Sequence, residues 1–172
     1  MPVILREVEP LKMQTRCKTD IPNCIVRRPP DHGRVLETAS EVAVCRNMAN
    51  AINRTFGPDP KYNCHGLTFA SRRTNITDLD AIDRIIAEDG YIPVEKNDTY
   101  PGDIIIYGAN SGDGGEIEHS GLIIGLINAI ITIPMVLSKL GECHEVVHPY
   151  NFSGHPKPPY CLSNIQFLRV MP

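Results

Sequence analysis

The chain has 172 residues, 42% of them hydrophobic, which is enough for one domain with a sizeable core. Its formal net charge of -3 gives no broad attraction to phosphate backbones, so the composition excludes nucleic acid as an expected partner. We therefore expect a single domain over residues 1–172, with an irregular N-terminal arm at 1–33 and a folded core at 34–172.

The N-terminal residues carry charges such as Arg6 and Glu7 and do not follow the basic, apolar and small-residue series of a signal peptide. The most apolar segment, 121–137, contains Asn128 and Pro134, which favours two strands around a turn over a membrane span. We therefore expect no membrane span. The chain is expected to be cytoplasmic, or delivered outside the cell by a route that needs no signal peptide.

The cysteines form no Cys-x-x-Cys pair and no zinc-ribbon spacing, so free thiols are the default expectation. Cys17 and Cys24 lie close together in the polar arm and could form a disulfide, but the lack of an export signal makes this the less favoured alternative. Cys45 lies on the apolar stripe of a predicted helix, which favours a buried structural thiol.

Helical signals dominate the first half of the chain. A capping box, Thr38-Ala39-Ser40-Glu41, is followed by apolar residues at helical spacing, which predicts a helix over 38–55. A second helix is predicted over 64–73. A third is predicted over 78–89, with Thr77 and Asp80 forming its cap.

The sequence pattern changes after residue 91, where short runs rich in β-branched residues are separated by Gly, Asn and Pro turns. These runs predict strands over 104–107, 118–126, 131–138, 145–148 and 165–170. Helices followed by a mostly antiparallel sheet define an α+β fold class.

One cysteine, in Tyr62-Asn63-Cys64-His65-Gly66-Leu67, is placed at the start of the second predicted helix. The first turn of a helix favours a thiolate, because its free N–H groups and positive dipole end stabilise negative charge. Gly66 removes a side chain near the sulfur, which would leave space for a substrate carbonyl. The stretch alone favours a small structural thiol, since most cysteines near helix starts are structural.

A candidate base lies on a later strand, Glu118-His119-Ser120-Gly121-Leu122-Ile123-Ile124-Gly125. His119 opens this apolar strand after a glycine-rich loop, so we expect it at a sheet edge beside a mobile loop. An imidazole there could take the thiol proton and later return it to a leaving group. A solvated histidine at a strand end is the alternative.

A third element, Tyr100-Pro101-Gly102-Asp103-Ile104, leads into the strand before His119. The three elements, in this order and at this spacing over about residues 60 to 140, resemble the NlpC-type and CHAP-type branch of the papain-like cysteine peptidases and amidases. The resemblance implies a papain-like core, with N-terminal helices packed on the sheet, and amide-bond hydrolysis without metal or organic cofactor. By position, Cys64 matches the nucleophile and His119 the general base.

The third catalytic member is less well defined. In the family it lies on the strand after the His strand. A hairpin turning at Asn128-Ala129 would place Ser138 opposite His119, where its hydroxyl could accept a hydrogen bond from the imidazole. His148, one strand further on, is the rival candidate.

Three neighbours of the cysteine are candidates for contact with substrate. Tyr62 or Asn63 could add a donor to an oxyanion hole formed with the N–H of Cys64, although Asn63 also suits a helix cap. His65 replaces the small residue usual in the family, so it either binds substrate or lies on the helix surface. Lys139 could bind a substrate carboxylate, with a solvated strand-end lysine as the favoured alternative.

Substrate and competing functions remain open at this level. The resemblance favours peptidoglycan stem peptides, and a bare catalytic domain is typical of an antibacterial toxin, which would have an inhibitory immunity protein as a partner. An intracellular protein or isopeptide hydrolase fits equally. A non-catalytic papain-like binding module is one alternative, and a metal-binding protein using Cys143, His144 and His148 is another.

Overall fold

The computed structural model describes residues 8–27, 31–33, 52–53, 58–108, 117–128, 132–141, 143–151 and 164–171. The helix expected over 38–55, with Cys45, lies outside these residues except near its end. There the expectation is wrong, because Ile52 and Asn53 form a two-residue strand paired with Val147 and Val146. The open edge of the sheet supplies backbone partners that a helix end would not have.

Two α-helices are described, α1 over Cys64–Ala70 and α2 over Leu79–Glu88. Helix α1 ends earlier than expected because Ser71 and Arg72 adopt left-handed backbone conformations, with φ of 49° and 67°. Helix α2 is capped by Asp78, whose side chain accepts from the N–H of Asp80, and not by the expected Thr77. No helix among the described residues is long and apolar enough to cross a membrane.

Nine strands are described, and all their pairings are antiparallel. They are β1 Val8–Glu9, β2 Ile25–Val26, β3 Ile52–Asn53, β4 Tyr91–Val94, β5 Ile104–Tyr107, β6 His119–Asn128, β7 Thr132–Lys139, β8 Glu145–Pro149 and β9 Ile165–Val170. Strands β1 and β2 pair with each other, and the others form one sheet in the order β3-β8-β7-β6-β5-β9-β4. The α+β class and the antiparallel sheet are therefore confirmed.

The sheet has a buried core on each face, because successive side chains of a strand point to opposite sides. Ile104, Ile106 and Leu168 pack against apolar residues of α2 on one face. Ile105 and Tyr107, which alternate with them, belong to a second cluster on the other face. Because β5 is buried on both faces, its sequence is an unbroken run of apolar residues and does not alternate with polar ones.

The described part of the N-terminal arm is fastened to the end of α2 and to the loop after α1. The N–H of Arg16 donates to Asp89 at 2.6 Å, and the backbones of Cys24 and Asn75 exchange two hydrogen bonds of 3.0 and 2.8 Å. Cys17 and Cys24 are free thiols. The arm therefore packs on the core through hydrogen bonds from its backbone.

Candidate active site around Cys64

Cys64 is the first residue of α1, and Asn63 is its cap. The Oδ1 atom of Asn63 accepts from the N–H groups of Gly66 (2.9 Å) and Ile76 (3.1 Å), while its Nδ2 donates to the carbonyl of Ile76 at 2.6 Å. The cap expected at this position is confirmed. Because every polar atom of the Asn63 amide is used by the backbone, the structure supports this role over a contact with substrate.

Gly66 is required by packing and not by access to the sulfur. A Cβ atom at this position would lie 1.8 Å from the carbonyl oxygen of Thr74 and 3.1 Å from the Cβ of Tyr62. The loop after α1 therefore passes directly over the helix backbone. The expectation that Gly66 leaves space for a substrate carbonyl is wrong, since the Thr74 backbone fills that space.

The thiol of Cys64 is half-buried, and two opposing effects act on it. Burial raises its pKa, whereas the nearby backbone N–H groups of Ser120, His65 and Cys64 itself, together with the charge of Lys139, lower it. Burial outweighs the rest, so the pKa lies above its ordinary value. At neutral pH the sulfur is therefore a neutral thiol, close to the first residues of β6.

His65 is buried, with 4% of its surface exposed, so the expected position on the helix surface is wrong. Its Nδ1 lies 2.9 Å from the Oγ of Ser120, which donates to Thr68 (3.0 Å), which in turn donates to the carbonyl of Cys64 (3.0 Å). Each hydroxyl has one proton, so Nδ1 of His65 must donate to Ser120. Burial lowers the pKa of His65 to about 4, which keeps this tautomer neutral.

The chain of hydrogen bonds through Ser120 attaches the start of α1 to the start of β6. Sequence reasoning missed this role of Ser120, which stood in the motif only as the residue after His119. Its position opposite Ile106, in the core under α2, shows that its side chain points to the helix-bearing face.

His119 is the first residue of β6, as expected, and it is 2% exposed. It is the cross-strand partner of Tyr107, and the centroids of the two rings are 5.7 Å apart. Its ring therefore leaves the sheet on the face opposite Ser120. Burial lowers the pKa of His119 well below its ordinary value, and the nearby His148 and His65 lower it further. The imidazole is neutral at pH 7 and lies close to two other histidines.

The register between β6 and β7 differs from the expected one. Ser138 lies opposite Gly121, not opposite His119. Asn128 pairs with Thr132, which offsets the register from the expected one by three residues, and a bulge in β6 near residue 124 reverses one residue of this offset. The net shift is two residues, so Ser138 still shares the sheet face of His119.

Ser138 and His148, the two candidates for the third position, are bonded to each other. The Oγ of Ser138 lies 2.6 Å from Nε2 of His148, and Nδ1 of His148 lies 2.8 Å from the carbonyl oxygen of Pro149. A carbonyl only accepts, so Nδ1 carries the proton and Nε2 accepts from the Ser138 hydroxyl. Burial lowers the pKa of His148 to about 4. The two residues therefore form one neutral unit on the face of His119.

A cluster of charged side chains lies beside Cys64 on the helix-bearing face, and we call it the Tyr62 cluster: Tyr62, Arg72, Lys139 and Glu145. The hydroxyl of Tyr62 donates to Glu145 at 2.8 Å, and Arg72 binds both oxygens of the same carboxylate at 2.5 and 3.1 Å. Burial alone would raise the pKa of Glu145, but these contacts lower it below its ordinary value. Tyr62 is thus held in the interior, which supports a structural role for its hydroxyl.

Lys139 is 1% exposed, so the expected solvated strand-end lysine is wrong. Its Nζ donates to the carbonyl of Cys143 at 2.7 Å and lies 4.6 Å from the centroid of the Tyr62 ring. Neither Arg72 nor Glu145 lies in a local sequence motif, because the cluster is assembled from residues that flank α1 and from strands β7 and β8. Only the tertiary fold brings these side chains together.

Asp103, in the Pro-Gly-Asp motif, is structural. Its carboxylate accepts two hydrogen bonds of 2.8 Å from Arg169 and one of 2.7 Å from the N–H of Tyr100. Burial would raise the pKa of Asp103, but the Arg169 guanidinium and the Tyr100 N–H outweigh it and lower the pKa. The motif therefore fastens the start of β5 to β9.

The metal-binding alternative gains no support from the geometry. Within the described ranges, no three His, Cys, Asp or Glu side chains are placed to hold a metal ion. Both ring nitrogens of His148, one of its expected ligands, contact protein atoms at hydrogen-bond distance.

No protein-family model, curated protein or solved structure matches this chain. The function is therefore argued from the chemistry of the site itself.

Proposed function

We propose that the chain is a cysteine-dependent amide-bond hydrolase with a papain-like core, in which Cys64 is the nucleophile and His119 the general base. One observation carries this proposal. His65 and Ser120, the residues that directly follow Cys64 and His119, are hydrogen-bonded at 2.9 Å, and the N–H of Ser120 lowers the pKa of the Cys64 thiol. The backbones next to Cys64 and His119 are thus brought together at the start of β6, while the His119 ring packs against Tyr107 on the other face of the sheet.

The ring of His119 must pass around the end of the sheet to reach the sulfur. The pairing of β7 with β6 stops at Ser138 and Gly121, so no β7 partner is paired with the backbone beside His119. An interaction with His65, the residue after Cys64, contributes to the lowered pKa of the His119 ring. The proposal therefore requires a change of the His119 side-chain rotamer that replaces the contact with Tyr107 by one with the thiol.

The resting pair is a neutral thiol and a neutral imidazole. In the first step His119 takes the thiol proton as the sulfur attacks the amide carbon, and the backbone N–H of Cys64 donates to the developing oxyanion. Protonated His119 then gives its proton to the leaving amine, and the C–N bond breaks to leave a thioester. Water, deprotonated by His119, hydrolyses the thioester and restores the thiol.

In this proposal Ser138 and His148 orient His119, the general base. The Ser138 hydroxyl donates to His148, so its remaining lone pairs can accept from the imidazole of His119 on the same sheet face. A neutral hydroxyl stabilises an imidazolium less than a carboxylate does. The pair would therefore mainly select the tautomer and orientation of His119.

For the substrate we propose peptidoglycan stem peptides, on the resemblance of the Cys64, Pro101-Gly102-Asp103 and His119 elements to the NlpC-type and CHAP-type enzymes. A toxin delivered to a competing bacterium would act on this substrate and have an inhibitory immunity protein as its partner. A protein isopeptide bond is the other amide that this chemistry would cleave.

The experiment separates the chemistry from the substrate. The protein is incubated with p-nitrophenyl acetate, and acetylation of Cys64 is followed by mass spectrometry. We expect acetylation in the wild type, none at this position in Cys64→Ala, and a rate about a hundredfold lower in His119→Ala. His32→Ala, which changes an exposed histidine, serves as the matched control.

Purified muropeptides are then incubated with the wild type and with Cys64→Ala. New fragments that require Cys64 support the peptidoglycan substrate. Acetylation without muropeptide cleavage moves the proposal to a protein or isopeptide bond. A Cys64 acetylation rate that is the same in His119→Ala and in the wild type would falsify the catalytic pair.

The raised pKa of the thiol and the contact of His119 with Tyr107 favour a second candidate, a papain-like binding module without turnover. Such a module would bind muropeptides in the wild type and in Cys64→Ala with equal affinity. It would also show no dependence of Cys64 acetylation on His119.

A further inference from the structure

The loop that follows α1 returns along the start of that helix. The backbone of Ile76 exchanges two hydrogen bonds of 2.6 and 3.1 Å with the side chain of Asn63, the helix cap. The carbonyl oxygen of Thr74 lies so close to Gly66 that a Cβ atom there would be 1.8 Å from it. Cys64 lies between Asn63 and Gly66, so this loop fixes the helix backbone on both sides of the sulfur-bearing residue.

Asn75, which lies between those two contacts, binds the residues that lead into the helix. Its Nδ2 atom donates to the carbonyl oxygens of Pro60 and Lys61, each at 3.0 Å, and the carbonyl of Cys24 is a more distant acceptor at 3.4 Å. A side-chain amide has two protons, so the two nearer carbonyls can use its full capacity as a donor. Because Lys61 precedes Cys64 by only three residues, the direction in which the chain enters α1 depends on Asn75.

The N-terminal arm fixes the backbone of this loop. Cys24 and Asn75 exchange two backbone hydrogen bonds of 3.0 and 2.8 Å, and the hydroxyl of Thr74 donates to Oδ1 of Asn23 at 2.8 Å. Thr74 and Ile76, the neighbours of Asn75, are completely buried. The Asn75 amide therefore acts from a backbone that is already held, so its hydrogen bonds to the residues before α1 cost little further conformational entropy.

We propose that Asn75 is a positioning residue that directs the Cys64 sulfur for proton transfer to His119. The direction of the Cα–Cβ bond of Cys64 follows from the backbone of the first turn of α1, and the contacts of Asn75 and its two neighbours hold that turn. The inference rests on the proposed function, because it gives a role in that reaction to a residue outside the Cys64, His119, Ser138 and His148 set.

Acetylation of Cys64 by p-nitrophenyl acetate measures this role in the wild type, in His119→Ala, in Asn75→Ala and in the double variant. The sulfur forms a bond to the acetyl carbon, p-nitrophenolate leaves with the electron pair of the broken C–O bond, and the thiol proton passes to His119. The quantity compared is the factor by which His119 accelerates acetylation. We expect this factor to fall from about a hundredfold to about tenfold when Asn75 is replaced, because a misdirected thiol uses the base less well.

Alkylation by iodoacetamide separates positioning from access to the sulfur. At pH 9.5 hydroxide in solution can ionise the thiol, and the sulfur displaces iodide from the CH₂ carbon without a protein base. The Cys64 alkylation rate in Asn75→Ala should stay within about twofold of the wild type, and the buried Cys143 should remain unlabelled. Asn97→Ala, which changes an exposed asparagine, serves as the matched control and should change neither rate.

An equal His119 factor with and without Asn75 overturns the proposal, and so does a parallel fall of acetylation and alkylation in Asn75→Ala. Should Cys143 become labelled in this variant, Asn75→Asp, which keeps the size of the side chain but has no N–H donor, is compared by the same criteria. Unfolding of both variants would assign Asn75 to stability and would likewise overturn the proposal. A wild type without His119 dependence rejects the proposed function itself, whereas full His119 dependence in Asn75→Ala rejects only the role of Asn75.

Discussion

Acidification to pH 5 should destabilise this protein strongly, because its buried histidines bind protons less readily in the folded state than in the unfolded chain. His65 and His148 each have a pKa lowered from 6.5 to about 4 by burial. Between those values the unfolded chain binds protons that the folded protein excludes, so stability falls as pH falls. At pH 5 each histidine costs about 2 kcal/mol relative to pH 7.5.

The two residues together therefore remove about 4 kcal/mol, a large part of the 5 to 15 kcal/mol typical of a domain. His119 acts in the same direction, since its pKa is also lowered. Asp103 and Glu145 do not contribute in this window. Their pKa values are lowered from 3.8 and 4.5, so the stability they provide is lost only at more acidic pH.

Urea unfolding followed by circular dichroism at half-unit intervals from pH 5 to 7.5 measures the effect. His65→Gln and His148→Gln should each flatten the dependence of the unfolding free energy by about 1.4 kcal/mol per pH unit below pH 6. His32→Gln, at an exposed position, should leave the slope of the wild type. Equal slopes in all four proteins would refute the reasoning, whatever their absolute stabilities.

The other predictions concern packing, the motif and the base. Gly66→Ala should destabilise the fold by at least about 2 kcal/mol, because its Cβ would overlap a carbonyl oxygen, whereas Gly125→Ala, with no atom within 4 Å, should have little effect in the same urea assay. Asp103→Asn should lower the free energy of unfolding by about 2 kcal/mol through loss of its charged hydrogen bonds, and with it the melting temperature, whereas Asp98→Asn, at an exposed position, should leave both unchanged. Ser138→Ala should slow Cys64 acetylation by p-nitrophenyl acetate about tenfold while the protein stays folded, and an unchanged rate would remove Ser138 from the site.

Local sequence patterns predicted the elements well wherever side-chain periodicity decides the structure. The strand over 104–107 was expected with its observed bounds, and β6 to β9 were expected to within two residues at each end. The start of α1 at Cys64 followed from the Asn63 cap. The region expected as the 38–55 helix failed at Ile52, where a partner strand distant in sequence decided the outcome.

The environment of the site was less predictable, because it depends on register and on tertiary contacts. No local signal marks the bulge near residue 124, and it changes the partner of Ser138. Gly66 is a glycine because Thr74 passes over it, although the two are separated by a loop. His65 and Lys139 are residue types that are common at protein surfaces, and only the packing of α1 on the sheet makes them interior residues.

The position of β9 in the sheet has a consequence for biosynthesis. Strand β4 pairs with β9 alone among the described strands, and β5 needs β9 on one side, although both precede it by more than 50 residues. Until β9 has been synthesised, the Asp103 carboxylate has no Arg169 to bind it, and β4 has no partner among the described strands. The part of the sheet that contains β9 and β4 can therefore form only after residues 165–170 have been translated.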